Sequence, residues 1–274
     1  MTSIDTTSGT EAATAAGPET APAGGSDASL GDFAQVNRGR ASAYALLSRA
    51  FASEVDQQLL DQMHAMRFPA RTGNTKTDEG NRLMAGYLSN VWGGTLQELA
   101  VDYVHCFIGS GDDGFSAAYP YESVYTSPRR LRMQEARDEV LAIYRSQGYQ
   151  KAEGWKEAED HVAAELEFMA SMATRTAEAC DAGDADEVER LLRCQQGFLV
   201  EHLYAWTGML TADMRMYART DFYRGLAGML DGMVETDREL LLDVLGDEGD
   251  AKMPGEAQAE GDEGDQDDQD GRQA

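Results

Sequence analysis

Apolar side chains recur along the middle of the chain at helical spacing. Tyr44, Leu47 and Phe51 form one stripe, and Leu59, Met63 and Met66 a second. Leu96, Leu99, Tyr103 and Phe107 form a third, with Thr95 as its N-cap. Val162, Leu166, Met169 and Ala173 make the inner face of the next helix. Leu191, Phe198, Leu203, Trp206 and Leu210 belong to one long or broken helix, and Phe222, Leu226, Met229 and Met233 to the last. Ser127-Pro128 reads as a cap followed by Pro at the first helical position, which predicts a helix over 128–147. No stretch alternates apolar and polar residues as a half-buried strand would. The pattern predicts an all-α bundle with short loops and one long irregular loop at 109–127. A long loop inside a compact domain is often functional.

The ends break this pattern. Residues 1–31 are rich in Ala, Thr, Gly, Ser and Pro, and 246–274 in Gly, Asp, Glu and Gln. Neither offers enough apolar surface to offset chain entropy, so both are expected to be disordered tails around a single domain at 32–245. A domain of that size can bury about 70% of its unfolded surface.

Charge narrows the partners. The net charge is −26. The C-terminal tail holds 11 acidic and 2 basic residues and the N-terminal tail 4 acidic and none basic, which leaves −13 for the domain itself. A nucleic-acid binder needs basic surface to meet phosphates, so that class is excluded; a basic partner is favoured. The three cysteines, Cys106, Cys180 and Cys194, form no C-x-x-C, which removes the signal for structural zinc or a dithiol site. The first residues have neither the basic start nor the apolar run of a signal peptide, and no stretch reaches the roughly 20 apolar residues of a membrane span. The expectation is a soluble, cytoplasmic protein without metal or cofactor.

Gly109-Ser110-Gly111-Asp112-Asp113-Gly114 matches G-x-G-x-x-G in letters alone. It follows a helix instead of a strand, and Asp112 and Asp113 would repel a phosphate, so a flexible loop is the better reading. Asp61-x-x-His64 and Asp102-x-x-His105 have the spacing of carboxylate–histidine pairs in di-metal bundles, but the Glu-x-x-His pairs and further Glu ligands of such sites are missing.

Two segments stand out. Tyr119-Pro120-Tyr121-Glu122-Ser123-Val124-Tyr125 is dense in aromatics for a loop. It is either a Pro-fixed connector whose tyrosines plug the core or a peptide-docking lip on which Glu122 pairs with a guanidinium. In Glu157–Met169, acidic residues crowd a helix start, where the helix dipole favours anions, and His161 and Glu165 flank the apolar stripe. Asp160 either caps the helix with His161 packed at the domain edge, or the cluster forms an acidic groove wall in which His161 bonds a peptide or senses pH.

In this order the segments resemble the TorD/DmsD/NarJ-like family of chaperones for molybdenum-containing redox enzymes. Asp102-Tyr103 followed by Phe107-Ile108-Gly109 matches the family's Asp-Tyr and Phe-x-Gly turn, and Pro120 to Tyr125 its Pro-Tyr-Glu-Ser-x-Tyr loop. Glu157 to Met169 matches its Asp-His-x-x-x-Glu-Leu-x-Phe-Met helix, the most specific part, with Ala158 in place of the usual Pro. Ser110 likewise stands where a Pro is common. His202-Leu203-Tyr204-Ala205-Trp206 and Phe222-Tyr223-Arg224-Gly225-Leu226-Ala227 match two later motifs. The resemblance spans about 33–243. It implies a helical, non-enzymatic chaperone that binds the twin-arginine signal peptide, or another N-terminal segment, of a molybdopterin-containing oxidoreductase and holds the apo-subunit back from export until its cofactor is inserted. The implied peptide-binding residues are Tyr121, Glu122, Ser123, Tyr125, Asp160, His161 and Glu165. A monomer or a domain-swapped homodimer fits the family. At most a weak guanine-nucleotide binding is implied by the resemblance, and no phosphate site is legible here. Two other readings stay open: a di-metal carboxylate bundle enzyme, and an acidic assembly scaffold that never touches a signal peptide.

Overall fold

A computed structural model describes residues 25–109, 116–150, 152 and 154–246. It is helical throughout. The chain runs α1 (Gly25–Ala52), α2 (Gln57–Ala65), α3 (Thr75–Leu88), α4 (Thr95–Tyr103), α5 (Glu122–Thr126), α6 (Glu135–Ser146), α7 (Val162–Ala182), α8 (Ala185–Phe198), α9 (Tyr204–Tyr217) and α10 (Asp221–Leu245). One π-turn, Val104–Ile108, extends α4, and another, Leu199–Leu203, joins α8 to α9 into a single rod. The all-α bundle is thus as the periodicity indicates, and the long helix around Phe198 is broken by a widened turn. No helix among the described residues is long and apolar enough to cross a membrane.

Local chemistry sets the helix ends. The side chain of Asp56 accepts from the N–H of Leu59 at 2.8 Å and caps α2. Asn74 accepts from Lys76 and Thr77 and caps α3, and Asp184 accepts from Glu187 and caps α8. Gly183, with φ of 70°, ends α7 in the left-handed conformation that glycine adopts without strain.

Two long packings organise the bundle: α1 lies along α7, and α3 along α10. The core between them includes Tyr44, Phe51, Phe168, Phe198, Trp206 and Phe222, all fully buried. Each such side chain contributes roughly 1.5–3 kcal/mol by leaving water. The α3–α10 contact is made backbone to backbone. A Cβ built at Gly80 would lie 2.6 Å from the Met229 nitrogen, and one at Gly228 would lie 2.9 Å from the Gly80 Cα. First and last helices are tied by a buried ion pair. Arg40 donates to Asp237 at 2.8 Å, and Tyr44 donates to the same carboxylate at 2.6 Å.

Several sequence expectations shift. The first helix begins at Gly25, inside the segment assigned to the N-terminal tail; residues 1–24 and 247–274 lie outside the described residues. The helix expected over 128–147 starts only at Glu135. Ser127 instead closes α5: its N–H reaches Ser123, its carbonyl takes the Arg130 N–H, and Arg130 and Met133 adopt φ of 50° and 60°. No α-helix passes through such residues. The loop expected over 109–127 contains the short helix α5, while most of the G-x-G-x-x-G segment, 110–115, is outside the described residues. Thr95 is the first residue of α4, not its cap; its hydroxyl accepts from the Trp92 N–H. Met66 lies beyond α2 and is exposed.

Candidate functional site

The loop at 119–125 and the start of α7 meet. Tyr121 and His161 form an antiparallel bridge. The Val162 N–H donates to the Pro120 carbonyl and the Glu122 N–H to the Asp160 carbonyl, each at 2.9 Å. Pro120 fixes the loop's entry and has no N–H of its own to satisfy.

Beneath this bridge lies a buried polar network. Asp160 is fully buried and accepts from the Ser123 N–H at 3.0 Å. It does not cap α7. That role falls to His161, whose Nδ1 accepts from the Ala163 N–H at 3.1 Å. His161 is 2% exposed, its ring set edge-on between Tyr121 and Trp155. Burial, with the nearby charge of Arg132, pushes its pKa down to about 3, so the ring is neutral and an acceptor. Glu122 is 3% exposed and holds His202 Nδ1 at 3.0 Å. Glu165 does not flank the apolar stripe: it is fully buried and accepts from Trp206 Nε1 at 3.1 Å. Its carboxyl is held well above the usual range, first by burial and then by the charges of Glu122 and Asp160. Ser123, also fully buried, accepts the Gln134 N–H at its hydroxyl. Tyr125 donates to Asp213 at 3.0 Å and stacks on Trp206 with centroids 5.6 Å apart.

Outside the bridge is a cleft of about 910 Å³, with Tyr121 and His161 in its wall. This is at the upper end of the roughly 300–1,000 Å³ of small-molecule pockets. Its apolar lining comes from Tyr103, Phe107, Ile108, Tyr119, Val124 and Leu131, of which Ile108 and Leu131 are half exposed. Its carboxylates are Glu54, Asp56 and Glu157, and its cations Arg49, Arg130 and Arg132. The wall is therefore mixed in charge where the sequence suggested an acidic one. Much of this charge is engaged. Arg49 pairs with Asp56 at 2.6 Å, Tyr121 donates to Glu157, and Arg132 donates to the Tyr121 hydroxyl at 3.2 Å. Glu54 is exposed, and its carboxylate has no partner among the described residues.

Both π-turns serve this region. The first sets Phe107 and Ile108 at the cleft, and the second carries His202 onto Glu122. A widened turn shifts the side chains that follow around the helix, and such turns concentrate at functional sites.

The family profile described as "Nitrate reductase delta subunit" matches residues 74–212, half of the chain and all of this site except Asp213 and the rim at 49–56. The chain is also similar to curated chaperones. The chaperone protein TorD of Vibrio parahaemolyticus serotype O3:K6 (strain RIMD 2210633) is 26% identical over 218 residues, covering 75% of this chain and 96% of that protein. The chaperone protein TorD of Shewanella loihica (strain ATCC BAA-1088 / PV-4) is 25% identical over 220 residues, covering 77% and 96%. The chain belongs to the TorD/NarJ-type family of maturation chaperones. It is accordingly a chaperone and not an enzyme, which removes the di-metal bundle reading. Among the described residues no cluster of three His, Cys, Asp or Glu side chains is disposed to hold a metal ion.

Within this TorD-like chaperone, Tyr121 and His161 face the cleft, and Glu122, Ser123, Tyr125, Asp160 and Glu165 hold its wall from behind. The sequence left His202 and Trp206 out of the site, although their i,i+4 spacing set them on one face. Glu54 and Arg132 gave no signal, because only tertiary packing brings the α1–α2 loop and the 127–134 segment to this place.

Proposed function

We propose that the cleft receives the N-terminal signal peptide, of the twin-arginine type, of a molybdopterin-dependent oxidoreductase, in the cytoplasm and before export. One observation carries the reading: an apolar surface and the free carboxylate of Glu54 share one cleft, built on the two segments by which the chain resembles its family. Such a peptide carries an Arg pair and then an apolar stretch. A guanidinium needs a carboxylate with an open edge, which Glu54 offers. The apolar stretch finds Ile108, Leu131 and Phe107, whose exposed area is removed from water on binding. The buried residues behind the wall act by holding Tyr121 and His161 in place.

Calorimetric titration with a synthetic peptide bearing an Arg pair and an apolar stretch tests this. Ile108→Asp and Leu131→Asp should each weaken binding about tenfold or more, since a charge is set against the apolar segment. Both positions are exposed, so folding should persist. Glu167→Gln, on the exposed outer face of α7, is the control. Normal affinity in both Asp variants would move the peptide off this cleft.

A further inference from the structure

The wall of the cleft rests on two buried glutamates whose like charges would oppose each other. Glu122 of α5 and Glu165 of α7 are 3% and 0% exposed, and Glu122 lies near enough for its charge to raise the Glu165 pKa. An ionised carboxylate only accepts, so a bond between two of them requires a proton on one. The other contacts say which. Glu122 already meets His202 Nδ1 on both oxygens, at 3.0 and 3.2 Å, and accepts from it in the tautomer that carries the proton on Nδ1. Glu165 Oε2 receives Trp206 Nε1, and Oε1 meets no donor among the described residues. A proton on Oε1 turns that orphan acceptor into the donor that Glu122 can take.

We propose that this carboxyl pair is a one-proton latch: protonated, it seats the 119–126 segment on α7 and α9 and keeps the cleft's wall in place; deprotonated, its like charges push the segment off and the bound peptide is released. The inference rests on the cleft being the peptide site only for its last clause.

The surroundings favour one proton. Asp160, with Oδ1 also unpartnered, lies close enough to add its charge, and Tyr144 of α6 is fully buried beside all three carboxyls. Among the described residues His202 is bonded to the pair, but no Arg or Lys is; Arg137 is held by Glu159 at 2.6 Å and Arg215 by Asp231 at 2.7 Å. The proton has a way out. Glu122 also lines a second depression of about 430 Å³, whose other lining includes Glu135, Glu139, Glu201 and Arg129. On release the proton passes to water or buffer there, leaving two carboxylates against each other. Glu165 is held above the usual carboxyl range, so the folded protein binds a proton that the unfolded chain loses above about pH 4.3. The latch is therefore closed at low pH and opens as pH rises through the folded value.

Hydrogen exchange on the full chain, corrected for intrinsic rates, tests it between about pH 5 and 9. Segment 119–126 should lose protection tenfold or more as pH rises, while α3 and α10 stay constant. Glu165→Gln keeps an acceptor for Trp206 and gives Glu122 an uncharged N–H donor, so its segment should stay protected at every pH. Peptide affinity should fall with pH in the wild type and stay level in Glu165→Gln. If the wild-type segment keeps constant protection across the range, the latch is overturned, and that holds even if the variant does not fold. If protection changes as expected but the peptide binds without regard to it, the latch stands and the peptide site lies elsewhere.

Discussion

His161 Nδ1 accepts the backbone N–H of Ala163 at 3.1 Å, so the first turn of α7 is capped by a ring that must be neutral to do it. A proton on Nδ1 would remove the acceptor and leave a cation 2% exposed beside Arg132. The folded pKa, about 3, lies below the 6.5 of an ordinary histidine. Between these values the unfolded chain binds a proton that the native state does not, so stability is lost as pH falls from about 6.5 towards 3. The loss should be on the order of 4 kcal/mol, because each tenfold difference in proton affinity is worth about 1.4 kcal/mol. His161→Asn keeps a capping acceptor without the titration. Urea unfolding of both proteins at several pH values should show a steep acid limb that flattens in the variant. Parallel limbs would assign the acid sensitivity to other groups.

A second expectation concerns the tie between the chain's two ends. Arg40, Tyr44 and Asp237 form a buried cluster in which Asn37 also accepts from Arg40, at 2.6 Å. Asp237→Ala would strand a guanidinium in the core, at a cost of about 3–5 kcal/mol. Tyr44→Phe removes one hydroxyl donor and should cost about 1 kcal/mol. Replacing Arg40 and Asp237 together by apolar residues should recover much of the Asp237→Ala loss, because no charge is then left alone. Denaturant midpoints of the four proteins check this ordering.

The α3–α10 contact gives a third. Gly80→Ala would drive a methyl into the Met229 backbone, which cannot rotate away, and should cost at least 1–3 kcal/mol. Gly86 lies in the same helix with nothing within 4 Å of a Cβ. Gly86→Ala should stabilise by about 0.5–1 kcal/mol through helix propensity alone. Thermal melts of the pair should move in opposite directions.

This helix also shows what sequence reading misses. α3 buries Met84 and Leu88 but otherwise turns Gly80 and Asn81 inward, so its face carries too few large apolar residues to show a period. Its partner surface, Gly225 and Gly228 of α10, is equally blank. The helices legible from the start, such as α7 with Val162, Leu166 and Met169, bury conventional stripes. At the site, the meeting of the 119–125 loop with the start of α7 was legible as two motifs. What was not legible was depth. Glu122, Asp160 and Glu165 look like surface charges in sequence, because carboxylates are almost never buried without partners. Their partners, His202, Trp206 and the Ser123 N–H, come from segments 37 to 80 residues away.

The last prediction separates charge from apolar contact in peptide binding. Glu54 is exposed at the cleft's rim, so its attraction for a guanidinium is screened by salt over about 8–10 Å near physiological ionic strength. Peptide affinity should fall as salt rises, and Glu54→Gln should both weaken binding and reduce that slope. An exposed pair of this kind is worth about 0.2–1 kcal/mol, up to a fivefold change in affinity. A double-mutant cycle makes the assignment specific. If Glu54 faces an Arg of the peptide, changing that Arg to Gln should cost less in Glu54→Gln than in the wild type. Arg49, already paired with Asp56 at 2.6 Å, stands in the same lining and should not mimic the effect. Equal Arg→Gln penalties in both proteins, with an unchanged salt slope, would mean that Ile108, Leu131 and their neighbours hold the peptide through its apolar stretch alone.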